Sequence, residues 1–357
     1  MKVILFTDNL GAGGAQRQLV GLAVLLAKSG YDVKVLTYQE ISFYKAYLDD
    51  NSIQNEVISG ASNRFLRIPI VANCFIKERP DYVISYQEIP SLIACATRFF
   101  GCRAKILVSE RSVTQSLTIK DRIRFNLYRF AERVIPNSYT QEQFLKKNYK
   151  WMSNKICTIT NFVDLDYFSY NIKEKRDVPL ILVAASVWPL KNVLGLIKAV
   201  KVLADRGNYF KIEWYGIVNG HDEYLSQCNN LIKKLNVEDY IELLPKTKDI
   251  IKQYRNCDFF CLPSFYEGTP NVICEAMAVG RPIICSDVCD NARYITNNEN
   301  GFLFDPKSSV DIALKLEKAL LLTPKHYVQV CANNRKKAES MLSQKTFINK
   351  YLELITN

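Results

Sequence analysis

Two glutamates separated by seven residues, Glu267 and Glu275, span a turn and the start of a predicted helix. An apolar run before them indicates a buried strand, and Gly268, Thr269 and Pro270 then supply a turn, an N-cap and a favoured first helical residue. A helix that begins near Pro270 points its free amide groups and positive dipole end toward a ligand at the carboxyl edge of a sheet. The pattern therefore predicts an anion site, with Glu267 on the loop and Glu275 about a turn and a half into the helix.

This segment resembles the Glu-x7-Glu signature of retaining glycosyltransferases of family 4, which have the two-domain GT-B architecture. The resemblance extends to the Gly-Thr-Pro turn and to the Ala-Met-Ala-Val-Gly-Arg-Pro run after Glu275. Two glutamates at this spacing on a surface helix carry little information alone, and this frame favours the site. The resemblance implies that Glu267 contacts the transferred sugar and acts in catalysis, that Glu275 binds ribose hydroxyls, and that amides near Asn271 and Val272 approach the diphosphate or sugar.

A glycine-rich loop follows the first predicted strand and leads into an apolar helical run. Its glycines allow the backbone to approach a ligand closely. A dinucleotide-binding Gly-x-Gly-x-x-Gly pattern that starts at Gly11 fits poorly, because Gln16 occupies the position of its last glycine. The loop instead resembles the Gly-Gly-Ala-Gln-Arg loop of the same glycosyltransferase family, which implies that Gly13 and Gly14 face the donor.

A third segment, residues 184–192, follows the first strand of the second half and contains Lys191. We expect Lys191 to neutralise the charge that grows on a diphosphate leaving group, although an isolated lysine is more often simply solvated. The family pattern has an arginine where this chain has Ser186, so either Lys191 and helix amides suffice or another basic residue substitutes. The predicted donor site comprises Gly13, Gly14, Ser186, Lys191, Glu267, Gly268, Thr269, Pro270, Asn271, Val272 and Glu275.

The first half carries the residues that the resemblance assigns to the acceptor. Glu110 and Arg111 belong to a Ser-Glu-Arg segment that resembles a Ser-Glu-Arg-Asn element at the cleft edge in some family members. Many members also carry a first-domain histidine near the acceptor. This chain has only His221, which we interpret as a surface loop residue, and His326, and both lie in the second half. The usual histidine role therefore has no candidate.

The alternation of strands and helices predicts an α/β fold of two Rossmann-like, doubly wound parallel sheets that face a cleft, which is the GT-B architecture. Predicted strands in the first half are 2–7, 32–37, 82–85, 104–109 and 133–136; those in the second half start at 180, 211, 241, 258, 282 and 301. We predict an acceptor-side domain over 1–170 and a nucleotide-sugar domain over 171–341, joined by a polar linker at 170–177. A C-terminal helix, about 342–357, is expected to return to the first domain.

Composition predicts a cytoplasmic protein. No secretory signal and no apolar run of about 18 residues is visible. The eleven cysteines are odd in number and dispersed, which suits a reducing compartment. No zinc site is predicted, because the closely spaced cysteine pairs have no histidine nearby. No other metal site is predicted, because the Asp-x-Asp at Asp164 lies in a crossover segment.

Basic residues concentrate between residues 98 and 155, where thirteen basic and four acidic side chains give plus nine of the chain's formal plus eleven. Apolar residues there recur at helical spacing, at Ile119, Ile123, Leu127, Phe130 and Val134. Such a helix can lie on an anionic membrane or bind a diphosphate-lipid acceptor, or it can face the core with a solvated outer side. The residues predicted to face an acidic partner are Lys120, Arg122, Arg124 and Arg129. Nucleic acid is a weaker explanation, because no recognised binding module accompanies the charge.

Together these features predict a retaining glycosyltransferase that moves a sugar from a nucleoside diphosphate sugar, with UDP favoured, to a hydroxyl of a glycan or polyprenyl-diphosphate-linked acceptor. Polysaccharide or lipopolysaccharide biosynthesis is the expected setting, at the inner face of the cytoplasmic membrane. No cofactor or metal is required, since the nucleotide sugar is itself a substrate. Two alternatives remain: a non-catalytic sugar-nucleotide-binding scaffold subunit, favoured by Ser186, and a GT-B epimerase or phosphorylase-like enzyme, favoured by the missing histidine.

Overall fold

The computed structural model describes residues 1–172, 174–217, 220 and 222–356, which fold into two compact units. The first unit contains Met1–Asn161 and Gln344–Asn357, and the second contains Phe162–Ser343. The division falls before the predicted boundary at residue 170, because Val163 and Phe168 are buried in the core of the second unit. Lys173 of the predicted linker and the predicted surface residue His221 lie outside the described residues.

The first unit is built on a six-stranded parallel sheet with the order β3-β2-β1-β4-β5-β6. Its strands are β1 (Lys2–Phe6), β2 (Asp32–Thr37), β3 (Gln54–Val57), β4 (Tyr82–Tyr86), β5 (Lys105–Glu110) and β6 (Arg133–Pro136). Its helices before the crossover are α1 (Gly14–Lys28), α2 (Lys45–Asp50), α3 (Arg67–Glu78), α4 (Glu88–Ala96), α5 (Ile119–Leu127) and α6 (Tyr139–Asn148). Helices on both faces of the sheet explain why its central strands are apolar throughout.

The edge strand β3 was not predicted. Its four residues, Gln-Asn-Glu-Val, are mostly polar and none of them is fully buried. An edge strand pairs on one side only and needs no continuous apolar run, so hydrophobic pattern alone does not reveal it. By contrast, β1 contributes Val3, Ile4, Leu5 and Phe6 to the core, all with no exposed surface.

The second unit repeats this architecture with the order β12-β11-β10-β7-β8-β9. Its strands are β7 (Leu180–Ala184), β8 (Lys211–Ile217), β9 (Ile241–Pro245), β10 (Phe259–Leu262), β11 (Ile283–Ser286) and β12 (Gly301–Phe304). Its helices are α7 (Val193–Asp205), α8 (Asp222–Leu235), α9 (Ile250–Asn256), α10 (Asn271–Val279), α11 (Asn291–Tyr294), α12 (Ser309–Leu320) and α13 (Pro324–Leu342).

The two sheets have the same connectivity, with β7 equivalent to β1 and β10 equivalent to β4. In both sheets the strand order reverses between these two strands. The loops that leave such a pair diverge to opposite faces of the sheet, which opens a crevice at the carboxyl ends where α/β proteins bind ligands. Ligand sites are therefore expected at the switch points β1/β4 and β7/β10.

The last helix, α14 (Gln344–Thr356), belongs to the first unit although the chain reaches it from the second. Its Phe347 and Tyr351 are buried. The Tyr351 hydroxyl lies 2.9 Å from the hydroxyl of Tyr86 at the end of β4, which ties the C-terminus to the first sheet.

Candidate functional site

The predicted Glu267–Glu275 segment connects β10 to α10 in the second unit. The helix begins at Asn271, and Pro270 is its N-cap with φ −75° and ψ 108°. Pro270 was predicted to be the first helical residue; it lies one position outside because its ψ is extended rather than helical. No side chain caps this helix through the N-cap residue, so its first amide groups point toward the carboxyl edge of the sheet.

Lys191 and Glu267 meet at the β7/β10 switch point. The Lys191 Nζ lies 2.6 Å from the Glu267 Oε1, and both side chains are largely buried. Lys191 ends a 3₁₀ turn after β7, and the carbonyl of Leu190 accepts a hydrogen bond of 2.9 Å from the amide of Phe265. Two segments that are 76 residues apart in sequence are thus joined through both backbone and side chains.

Glu275 lies on the buried side of α10 and is 2% exposed. The Tyr254 hydroxyl, from α9, lies 3.0 Å from its Oε2 and 3.2 Å from the carbonyl oxygen of Val272. Tyr254 has no exposed surface and was missed by sequence reasoning. A tyrosine within a predicted helix gives no signal of a carboxylate partner that is 21 residues away.

The loop that carries Ser186 is held against β8. The Trp214 indole donates a 2.6 Å hydrogen bond to the carbonyl of Ala185, and the amide of Val187 donates to the carbonyl of Gly216 at 3.0 Å. A Cβ at position 216 would collide with the Ala185 carbonyl, so glycine is needed there. Ser186 itself is half-buried, at the turn that precedes Lys191.

Two cysteine thiols, those of Cys285 and Cys289, lie near Glu267 and are uncharged at neutral pH. The Cys289 thiol hydrogen-bonds to the backbone of Glu267, and burial is the main reason that its pKa is raised. Burial likewise raises the pKa of the Cys285 thiol on β11, and the charge of Glu267 adds to the effect. Neither thiol therefore adds negative charge beside an incoming anion at neutral pH.

In the first unit, the predicted glycine loop caps α1. Gly13 is the N-cap and Gly14 the first helical residue. The side chain of Gln16 folds back beneath Gly13, where a Cβ would collide with it, and its Nε2 donates a 3.3 Å hydrogen bond to Asp8. Gln16, which disfavoured the dinucleotide pattern, thus holds the glycine loop to Asp8, two residues after the end of β1.

Glu110, which the resemblance assigns to the acceptor side, has no exposed side-chain surface. Its carboxylate accepts hydrogen bonds from the Tyr128 hydroxyl and from the Gln141 Nε2, the latter at 3.3 Å, and lies 3.6 Å from Arg124. Burial raises the pKa of Glu110, and Arg124 opposes this shift. Its neighbour Arg111 is half-buried, lies over the ring of Tyr86 at 4.7 Å and donates to Asn161.

Of the four residues predicted to face an acidic partner, Lys120, Arg122 and Arg129 are exposed, whereas Arg124 is buried. The Arg124 side chain is 4% exposed and lies among carboxylates of Glu88, Glu110 and Asp121, because it balances the buried charge of Glu110. The predicted apolar stripe also changes. The helix ends at Leu127, Val134 is a core residue of β6, and Phe125 is the apolar residue of α5 that is fully buried in the core.

Ile119 and Ile123, which begin that stripe, are 78% and 54% exposed beside the basic side chains of α5. Among the described residues no helix is long and apolar enough to cross a membrane. Within the same residues, no group of three or more His, Cys, Asp or Glu side chains is arranged to hold a metal ion.

Comparison with known proteins gives two family matches. "Glycosyltransferase Family 4" matches residues 12–167, and "Glycosyl transferases group 1" matches residues 168–337. A Campylobacter jejuni protein named N-acetylgalactosamine-N,N'-diacetylbacillosaminyl-diphospho-undecaprenol 4-alpha-N-acetylgalactosaminyltransferase is 25% identical over 319 residues, covering 84% of each chain. A glycosyltransferase from Haemophilus influenzae is 24% identical over 348 residues, covering 95% of each chain. Anabaena HepE in complex with UDP superposes with a TM-score of 0.86 at 18% identity, over 100% of both chains, which is a likeness of fold.

Proposed function

This chain belongs to glycosyltransferase family 4 and has the two-domain GT-B fold, and we propose that it catalyses retaining transfer of a sugar from a UDP-sugar. The proposed acceptor is a hydroxyl of a glycan or a polyprenyl-diphosphate-linked glycan in polysaccharide biosynthesis. Relatives in Campylobacter jejuni and Escherichia coli are named for diphospho-undecaprenol acceptors, which supports this choice. The E. coli relative is named for UDP-Gal, which supports UDP.

The observation that carries the proposal is the Lys191–Glu267 pair at the β7/β10 switch point. A cation, a carboxylate and a helix N-terminus at one crevice provide separate partners for the two parts of a nucleotide sugar. Lys191 and the first amides of α10 suit the diphosphate, and Glu267 suits hydroxyl groups of the sugar. Glu275, in the second turn of α10, is our proposed partner for the ribose hydroxyls.

In the proposed reaction the bond between the anomeric carbon and the diphosphate oxygen breaks, and the acceptor oxygen bonds to the same face of that carbon. The acceptor hydroxyl proton passes to the departing diphosphate. Negative charge grows on the diphosphate as the bond breaks, so Lys191 stabilises the transition state more than the ground state. Because Lys191 supplies this positive charge, we propose that the reaction needs no metal ion.

The site of action that we propose is the inner face of the cytoplasmic membrane, where a polyprenyl-linked acceptor would be anchored. The exposed basic side chains of Lys120, Arg122 and Arg129, together with Ile119 and Ile123, form what we call the α5 surface. Basic groups attract anionic headgroups while exposed isoleucines can enter the headgroup boundary. The correction at Arg124 leaves this surface with fewer charges than the sequence suggested.

The proposal is tested by a donor screen with UDP- and GDP-sugars, in chelator, with and without a polyprenyl-diphosphate-sugar acceptor. Acceptor-dependent release of UDP from one donor is the expected result, and NMR of the product should show the donor's anomeric configuration. An inverted anomeric configuration in the product would reject the retaining mechanism but not the proposed sugar transfer. UDP binding without release from any donor would favour the scaffold alternative, for which Ser186 in place of arginine is the supporting observation.

A further inference from the structure

A groove in the second unit lies at the edge of the sheet opposite the Lys191–Glu267 pair. Pro179 directly precedes β7 and Tyr209 lies two residues before β8, so both mark the amino ends of strands, whereas Lys191 and Glu267 follow strands. The groove has a volume of about 910 Å³ and is lined by these two loops, by the end of α12 and by the start of α13. This volume is in the range of small-molecule sites, and none of the roles above uses the groove.

Hydrogen bonds fix the base and one side of the groove. Tyr327 has no exposed surface, and its hydroxyl donates to the carbonyl of Asp258 at 3.0 Å. The Lys175 ammonium group donates to the carbonyls of Leu320 and Leu322, at 2.7 and 2.8 Å, where α12 ends. The segment before β7 is therefore held against α12, and the groove is formed without a ligand.

Exposed apolar side chains form part of the lining. Tyr209, Leu321 and Val328 are large but remain 55%, 71% and 44% exposed. The Tyr209 ring packs edge-on against the Tyr240 ring, with 5.8 Å between the ring centroids, so the orientation of Tyr209 is restricted. Large apolar groups that stay exposed in a concave site are characteristic of a binding surface.

Three charged side chains of the lining have no partner among the described residues. Glu174 and Asp177 come from the segment before β7, and Lys325 comes from the start of α13. All three are exposed, and none makes a hydrogen bond or an ion pair within the part of the chain that the structure describes. Two carboxylates and one ammonium group are therefore available to accept and donate hydrogen bonds to a ligand.

The groove as a whole is nearly neutral. Its other two cations are Lys175, which donates to backbone carbonyls, and Arg176, which lies 4.0 Å from the buried carboxylate of Asp258. The three cations are thus balanced by the carboxylates of Glu174, Asp177 and Asp258. Nucleic acids and anionic lipid headgroups bind through excess positive charge, which this groove lacks although the chain has a formal charge of plus eleven.

We propose that this groove binds a neutral oligosaccharide, with the Tyr209 ring against the face of one sugar and with Asp177 and Lys325 bonded to sugar hydroxyls. A sugar hydroxyl can donate to a carboxylate and accept from an ammonium group, while the apolar face of the sugar packs on an aromatic ring. A peptide fits less well, because peptide recognition uses a free sheet edge or a continuous apolar groove, and charged groups interrupt this lining. The Lys191–Glu267 pair lies at the other edge of the sheet, so a glycan can occupy the groove while a donor is bound.

The test measures binding without any reaction. Wild type and variants are screened against an array of short neutral oligosaccharides of hexoses and N-acetylhexosamines, and the Kd of each hit is measured by calorimetry with UDP present. We expect Tyr209→Ala to weaken binding about tenfold and Asp177→Asn about fivefold. Tyr167→Ala is the matched control and should bind like the wild type. Tyr167 is also a 55% exposed tyrosine of the second unit, and its ring packs edge-on against Phe168.

Each outcome decides the proposal. Binding that weakens in Tyr209→Ala and Asp177→Asn but not in Tyr167→Ala supports the groove. Absence of binding to every oligosaccharide, unchanged binding in both groove variants, or an equal loss in Tyr167→Ala would overturn it. A peptide-library hit that depends on Tyr209, with no oligosaccharide bound, would assign the groove to a peptide instead.

The result is independent of the proposed transfer reaction. Tyr209→Ala should release UDP from donor and a short acceptor at the wild-type rate, because the groove lies away from Lys191 and Glu267. A wild type that shows no acceptor-dependent release would reject the proposed function and leave the binding result unaffected.

Discussion

At the scale of single residues, the proposal that the second unit binds a nucleotide sugar rests on the ion pair between Lys191 and Glu267. Both side chains are largely withdrawn from water and lie 2.6 Å apart, so each compensates the charge of the other. A diphosphate carries more negative charge than a carboxylate and competes for the ammonium group. If the Lys191 ammonium group moves from Glu267 to the diphosphate when the donor binds, Glu267 can then accept hydrogen bonds from the sugar.

Replacement of Lys191 by alanine should reduce kcat by about 100-fold to 1,000-fold, the range for removal of one group that stabilises developing charge. The KM for the donor should change less, because the interaction strengthens as the diphosphate leaves. Stopped assays of UDP release at saturating donor measure this. Lys198→Ala, an exposed lysine on the adjacent α7, is the matched control and should retain full activity. Full turnover in Lys191→Ala would reject the assignment.

Tyr254 gives a second prediction at this scale, because its hydroxyl lies 3.0 Å from Glu275 and can fix the orientation of that carboxylate. Tyr254→Phe should weaken UDP binding about fivefold, a modest loss because the hydroxyl acts on the ligand only through the orientation of Glu275. Binding of 2',3'-dideoxy-UDP should be unaffected, since that analogue lacks the hydroxyls that Glu275 is proposed to hold. An equal loss for both ligands, measured by calorimetry, would mean that Tyr254 acts only on packing.

At the scale of elements, the buried pair of Arg124 and Glu110 joins α5 to β5. The sequence assigned both residues to surfaces, Arg124 to a membrane and Glu110 to an acceptor. Neither a basic cluster nor a Ser-Glu-Arg motif reveals that two of its members face inward toward each other. The helical periodicity also failed here, since it continued through Phe130 to Val134, which belongs to β6. Burial of charge depends on tertiary partners, which local pattern does not encode.

Arg124→Ala should lower the free energy of unfolding by about 3–5 kcal/mol at neutral pH, because Glu110 loses its buried counter-charge. The size of this decrease in the free energy of unfolding should depend on pH. Burial already raises the pKa of Glu110 above the ordinary 4.5, and removal of Arg124 raises it further. At acid pH both folded proteins hold the proton, so the deficit of the variant relative to the wild type should be smallest there and should grow as pH rises through the wild-type folded pKa toward the higher folded pKa of the variant.

Chemical denaturation of Arg124→Ala and the wild type from pH 4 to pH 8 measures this trend. The exposed neighbour Lys120 provides the control, and Lys120→Ala should stay within about 0.5 kcal/mol of the wild type at each pH. Glu88 and Asp121 also contact Arg124, so part of the deficit should persist at acid pH. A deficit that shrinks as pH rises would contradict the account of Glu110.

Other elements were predictable for clear physical reasons. The strands β1 and β12 have apolar runs bounded by polar residues, and the sequence located them to within a residue. Motifs in the sequence identified the Lys191 loop and the Glu267 loop separately. They did not reveal that the two side chains meet, because that contact depends on the neighbouring positions of β7 and β10 in the sheet.

At the scale of the whole molecule, the net positive charge concentrates on the first unit. The segment from residue 98 to 155 accounts for most of the formal charge of plus eleven. On its α5 surface, Lys120, Arg122 and Arg129 are accompanied by two exposed isoleucines. This combination fits attachment to an anionic bilayer, which would hold the enzyme beside lipid-linked acceptors.

The triple variant Lys120→Glu, Arg122→Glu and Arg129→Glu should bind anionic liposomes about a hundredfold less tightly at low salt, as expected from about 1 kcal/mol per basic residue. Wild-type binding should weaken as salt increases and be absent for neutral liposomes. The control variant replaces three exposed lysines of the second unit by glutamate, and it should bind like the wild type. These residues are Lys233, Lys234 and Lys318. Equal loss in both triple variants would indicate net charge rather than the α5 surface.

The central claim is sugar transfer at the Lys191–Glu267 site, and the most direct measurement is product analysis with one UDP-sugar and a polyprenyl-diphosphate-sugar acceptor in the presence of chelator. Mass spectrometry should show the acceptor heavier by one sugar, with one UDP formed for each sugar transferred. The same reaction with Lys191→Ala should give little product. UDP formed without any change in the acceptor mass would contradict the account, because it would show hydrolysis rather than transfer.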